Sequence, residues 1–91
     1  MYTIGLLGNR IVLNNDDARP VYIARNASNV FALLEKLALL EVIYFKGLDI
    51  VCRMEYYTLL EIIEEQEEME FRKQLQNLIA PLILHPATVN N

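Results

Sequence analysis

The chain has 91 residues, 54% of them hydrophobic, and a formal net charge of −4. This length predicts a single domain spanning residues 1–91, and the acidic balance argues against direct nucleic-acid binding, which needs a clustered basic surface. No apolar run reaches the roughly 18 residues of a membrane span, and no basic segment precedes an apolar one at the N-terminus, so we expect no membrane contact and no signal peptide. With Cys52 as the single cysteine, we expect a reducing, cytoplasmic location.

Two apolar runs at the N-terminus predict a β-hairpin. They cover residues 2–7 and 10–14 and are separated by Gly8-Asn9, and both of these residues tolerate the positive φ of a two-residue turn. A third strand is predicted at residues 21–24. Pro20 stands at its start, where a proline removes no interior ladder hydrogen bond.

Residues 29–46 are predicted to form a largely buried helix. Ser28 or Asn29 supplies the N-cap, apolar residues recur at helical spacing as far as Phe45, and Gly47 suits the C′ position just past the helix. A competing interpretation makes residues 42–45 a strand that pairs across Lys46-Gly47. We prefer the helix because no breaker precedes residue 42.

Residues 48–56 alternate apolar and polar side chains, which predicts a strand with one buried side. A second helix is predicted over residues 59–80, because Thr58 and Glu61 fit a capping box and no glycine or proline appears before Pro81. Residues 85–91 are expected to form a frayed tail. The order β-β-β-α-β-α predicts an α+β fold with a small mixed sheet, made of an N-terminal hairpin, a β-α-β unit with parallel strands and the long C-terminal helix.

The apolar side of this second helix changes partway along it. At 100° per residue, the apolar residues between 59 and 69 lie within about 100° of Leu59, whereas a second group lies near 150°. Either the helix kinks near residues 66–70, or its second half packs against another body, or that half orders only with a partner. We prefer the second explanation, with another copy of the chain as the body. The predicted interface anchors are Phe71, Leu75, Leu78, Ile79 and Leu82.

The section between the two apolar groups is predicted to be an acidic surface, formed by Glu64, Glu65, Glu67 and Glu68. On one face of the helix, Glu61, Glu64, Glu65 and Glu68 have a spacing that could gather a divalent cation, but no loop geometry and no histidine at matching spacing accompany them. A solvated surface is therefore the preferred interpretation. A second hypothesis is an inhibitor whose acidic surface docks on a basic, nucleic-acid-binding protein.

No residue pattern in the chain predicts catalysis, a cofactor or a metal site. Cys52 falls on the inward side of its strand, His85 has neither an acidic partner nor a second histidine, and no phosphate-binding loop is present. The sequence thus predicts a non-enzymatic protein–protein interaction or regulatory module that forms a homodimer. A third hypothesis is a small ligand-binding domain with its site between sheet and loops.

Overall fold

The computed structural model describes the backbone of residues 1–89 and the side chains of residues 1–82. It shows an α+β fold in which a sheet is combined with a short helix and a long C-terminal one. In chain order the elements are β1 (Tyr2–Leu7), β2 (Arg10–Asn14), β3 (Pro20–Ile23), α1 (Val30–Leu39), β4 (Ile43–Lys46), β5 (Asp49–Cys52) and α2 (Tyr56–Val89). The sheet order is β3-β2-β1-β5-β4. Across the residues described, no helix combines the length and the hydropathy that crossing a membrane requires.

The predicted N-terminal hairpin is confirmed, with Leu7 and Arg10 paired across the Gly8-Asn9 turn. Gly8 adopts a φ of 64°, the left-handed conformation that this turn position demands and glycine accepts without steric cost. β3 then adds to the outer edge of β2.

The prediction of one helix over residues 29–46 is wrong, because α1 ends at Leu39 in a Schellman motif. The N–H of Glu41 donates to the carbonyl of Ala38 at 3.0 Å, and the N–H of Val42 donates to the carbonyl of Leu37 at 3.3 Å. Glycine usually occupies the left-handed C′ position of this motif, but here Glu41 does so at a φ of 58°. The absence of glycine conceals the helix end. The N-cap prediction holds, since Asn29 accepts a hydrogen bond from Ala32.

The prediction of a mixed sheet with a parallel β-α-β unit is also wrong. Residues 43–46 form β4, which pairs antiparallel with β5 through a two-residue turn at Gly47-Leu48. This extra strand reverses the chain, so β5 runs antiparallel to β1, and every strand pair of the described sheet is antiparallel. The competing interpretation of residues 42–45 as a strand is therefore the correct one. The signal was a second glycine-led turn, since Gly47 has a φ of 64°.

Both helices contact one face of the sheet and enclose the hydrophobic core there. β5 is shorter than the strand predicted over residues 48–56, because it ends at Cys52. Cys52 is fully buried in the core as predicted, but Val51 on the opposite face is also only 7% exposed. The core is completed by Ile4, Ile11 and Leu13 from the sheet, Ala24 after β3, Leu33 and Leu37 from α1, and Leu59 and Ile63 from α2. Each large aliphatic side chain buried in this way stabilises the fold by about 1.5–3 kcal/mol.

Helix α2 begins three residues earlier than predicted. The Glu55 carboxylate accepts hydrogen bonds from the N–H groups of Tyr57 and Thr58 and from the Thr58 hydroxyl, at 3.0–3.3 Å. These bonds lower the pKa of Glu55 below its usual value. Glu55 rather than Thr58 is thus the N-cap, because its carboxylate accepts from two of the N–H groups that the start of a helix leaves without an intrahelical partner.

The helix then continues without a break through residues 66–70 and is traced to Val89. At 1.5 Å per residue a helix of this length spans about 51 Å, which accounts for most of the 61 Å long axis of the molecule. The predicted frayed tail, residues 85–91, begins within the traced helix, and residues 90–91 lie outside the described part of the chain.

Candidate functional site

Helix α2 divides into a packed half and an exposed half. In the first half Leu59 and Ile63 are fully buried against the sheet and α1, and Glu67 is only 6% exposed. From Phe71 to Leu82 every residue is exposed. The explanation in which a kink folds both halves onto one core is therefore wrong: the second half extends past the body that the first half helps to build.

The exposed half carries an apolar surface that the described fold leaves largely open to solvent. All the predicted interface anchors lie on it, on one side of the helix, and we refer to them as the projecting stripe. The exposed fractions are 50% for Phe71, 43% for Leu75, 72% for Leu78, 37% for Ile79 and 70% for Leu82. Apolar side chains exposed to this extent and placed side by side are typical of interaction surfaces.

The spacing within the projecting stripe is that of a coiled-coil seam, a feature that the helical wheel did not resolve. Phe71, Leu75, Leu78 and Leu82 follow one another at steps of four, three and four residues. This is the alternation of a and d positions in a heptad, whose 3.5-residue repeat keeps one seam facing a second helix. Counting steps of three and four in the sequence would have found it.

Glu67 has a different role from the one predicted. Its Oε2 accepts a hydrogen bond from the Tyr22 hydroxyl at 3.1 Å, and its Oε1 accepts one from the Asn26 N–H at 2.7 Å. It therefore ties the end of β3 and the loop before α1 to α2. The prediction that Glu67 belongs to a solvated acidic surface is wrong, because it lies about 80° around the helix from Leu59, beside the buried side.

The bond to Glu67 also alters Tyr22. Burial, followed by the hydrogen bond to Glu67 and the negative charge of that carboxylate, raises the pKa of Tyr22 to about 12. The neutral phenol is the form that donates to a carboxylate, so the fold favours it. The pair joins residues 45 positions apart in the chain, a separation at which no sequence pattern indicates contact.

The remaining members of the predicted acidic surface are exposed, but two of them have cationic partners within the chain. Glu65 lies 3.8 Å from the Lys36 ammonium, and Glu68 lies 2.6 Å from the Arg72 guanidinium. Both pairs are solvent-exposed, so each contributes little to stability. They do reduce the negative charge available to an external partner. Among the described residues no group of carboxylates, histidines or cysteines is arranged to hold a metal ion.

A groove runs along α2 where the two halves meet. It has a volume of about 370 Å³ and is lined by Tyr22, Arg25, Asn26, Glu64, Glu67, Glu68 and Phe71. Small-molecule pockets are mostly apolar with a few polar groups, whereas about half of the lining of this open groove is polar. Phe71 belongs to both the groove and the projecting stripe, so the two form one continuous side of α2.

The sheet face opposite the helices is only partly exposed. Gly5, Val12 and Val51 lie on it; Val12 and Val51 are only 8% and 7% exposed, whereas a side chain at Gly5 would meet no atom within 4 Å. Ile23 and Leu7 are 43% and 61% exposed beside them. No regular spacing or charge pattern on this face indicates what would bind there.

Comparison of the chain with protein-family models, with curated proteins and with solved structures gives no significant match.

Proposed function

We propose that this protein is a non-enzymatic interaction module that forms a homodimer through the projecting stripe. The observation that carries the proposal is the exposure of these five apolar side chains on one side of a half-helix that extends beyond the body. Two-fold homodimers are the commonest oligomers, and their interface uses the same surface of both protomers, so each residue of the stripe contributes once from each copy. The proposal sets the protein in the cytoplasm, where the free thiol of Cys52 stays reduced.

The stripe offers enough apolar surface to drive association. Fully burying one leucine contributes about 1.5–3 kcal/mol, and Leu78 and Leu82 still expose most of their surface. Association itself costs at least about 4 kcal/mol in lost translational and rotational freedom. With both protomers contributing the same residues, we expect a dissociation constant on the order of micromolar to tens of micromolar.

Sedimentation equilibrium of the wild-type protein and two matched variants tests the proposal. Leu78→Asp places a carboxylate in the centre of the stripe and is expected to make the protein monomeric at about 100 µM, because a buried unpaired charge is strongly unfavourable. Met69→Asp makes the same kind of change at a residue that is 57% exposed but faces away from the stripe, so this control is expected to remain dimeric.

A monomeric wild-type protein at about 100 µM, or a Leu78→Asp variant that associates as the wild type does, overturns the proposal. The salt dependence of binding distinguishes the proposed homodimer from docking of the acidic surface on a basic protein. Apolar association changes little between low and high salt, whereas binding through the exposed Glu64, Glu65 and Glu68 would weaken steeply.

A further inference from the structure

We infer that the two copies of α2 in this dimer run antiparallel, about a two-fold axis that crosses them between residues 76 and 77. The inference rests on the proposed homodimer and gives it an orientation. In this arrangement Phe71 faces the partner's Leu82, and Leu75 faces the partner's Leu78. Each a position then meets a d position of the other helix, as antiparallel seams require. The four seam residues of the projecting stripe therefore pair only with one another, and each layer is apolar.

The distribution of charge argues against the parallel alternative. Six glutamates lie between residues 61 and 70, and the heptad that includes Phe71 continues toward the N-terminus through Glu68 and Glu64. In a parallel pair each residue lies beside its own copy. The carboxylates of Glu64 and Glu68 would then face their copies in the partner along the seam. In the antiparallel pair the two copies of Glu64 are separated by about 37 Å along the axis, several Debye lengths at physiological salt.

The groove supports the same orientation. The loop that carries Arg25 and Asn26 lies beside Glu64 and Glu68, on the side of α2 that the seam occupies. In a parallel pair the two copies of this loop would lie at the same height along the helix pair, both beside the seam between the helices. In the antiparallel pair the groove faces only the far end of the partner's helix. Since α2 is traced as far as Val89, the partner's helix reaches the level of Glu64 and runs along the groove.

Distances between spin labels, measured by pulsed electron paramagnetic resonance on the full-length dimer, test the orientation. Glu61→Cys is labelled as the reporter and Gln74→Cys as the matched control, both at exposed positions of α2. Cys52 is fully buried, and burial raises the pKa of its thiol, so labelling of the wild-type protein is expected to be negligible. The antiparallel pair predicts about 46 Å between the two reporter labels and less than about 20 Å between the two control labels.

A long reporter distance with a short control distance supports the antiparallel pair. Reporter labels within about 20 Å of each other overturn the orientation but leave the homodimer standing. Loss of the dipolar signal when Leu78→Asp is added to Glu61→Cys confirms that the distance is measured across the stripe. A wild-type protein that sediments as a monomer overturns both the orientation and the proposed function.

Discussion

Replacing Glu67 with alanine removes a carboxylate that hydrogen-bonds α2 to β3 and to the loop between β3 and α1. The substitution leaves the Asn26 N–H and the Tyr22 hydroxyl without their acceptor. Hydrogen bonds to charged groups contribute about 1.5–3 kcal/mol each. Both donors can recruit some water once the carboxylate is gone, and removal of a buried charge relieves its desolvation. We therefore expect Glu67→Ala to lower the free energy of unfolding by about 2–3 kcal/mol.

Urea unfolding followed by circular dichroism measures this loss, with two matched variants. Glu64→Ala removes an exposed carboxylate three residues earlier on the same helix and is expected to change stability by less than about 0.5 kcal/mol. Glu67→Gln keeps the shape, because its amide can accept from Asn26 and donate to the Tyr22 oxygen, so we expect about half the loss or less. Equal unfolding midpoints for Glu67→Ala and Glu64→Ala would refute the anchoring role.

Ionisation of Tyr22 provides a second readout of the same contact. Its pKa of about 12 in the folded state lies above the ordinary value of 10, so the fold holds the phenolic proton more tightly than the unfolded chain does. This contribution is complete below pH 10 and is lost as the pH rises from 10 through 12. Since Tyr22 is only partly buried, we expect it to be worth roughly 1 kcal/mol. In an absorbance titration, the ionisation of Tyr22 should occur at a lower pH in Glu67→Ala than in the wild type.

Further substitutions test the backbone assignments, each by urea unfolding. Gly5→Ala is expected to stabilise the fold by about 0.4–1 kcal/mol, because a Cβ there meets no atom within 4 Å and the unfolded chain loses conformational freedom. Gly8→Ala should destabilise the fold by about 1 kcal/mol, because Gly8 has a φ of 64°. Stability changes of the same sign for the two variants would contradict these assignments. Glu41→Gly is expected to stabilise by about 1 kcal/mol, since it relieves a left-handed glutamate, whereas a loss would show that the side chain has another role. Glu55→Gln should lower stability at neutral pH, and the difference from wild type should vanish as the pH falls through the lowered pKa of Glu55; a difference that persists in acid would exclude charge-assisted capping.

Several elements were predictable from the sequence because their causes lie within a few neighbouring residues. The Gly8-Asn9 turn between two apolar runs predicted the first hairpin, and the alternation around Cys52 predicted the inward side of β5. Asn29 was identified as a helix cap, and the absence of breakers before Pro81 predicted a long C-terminal helix. The projecting stripe was also visible, since the change of apolar side along a helix depends only on residue spacing.

The fold differs from prediction where the outcome depended on groups distant in the sequence or on an exception to a local rule. Helix α1 ends beside a glutamate that adopts a left-handed conformation. The sequence therefore predicts helix where β4 lies, and it predicts the wrong direction for β5. Glu67 is indistinguishable from its neighbours in the sequence, and its acceptor role comes from Tyr22 and Asn26, which lie 45 and 41 residues away.

The sequence by itself thus determined the composition of the long helix, including which apolar side chains share its second half. Only the tertiary structure decided that this half extends beyond the body. The physical reason is that the sheet and α1 cover the helix only as far as Glu67, where the bonds to Tyr22 and Asn26 close the core. Beyond that point no element of the described fold remains to cover the projecting stripe.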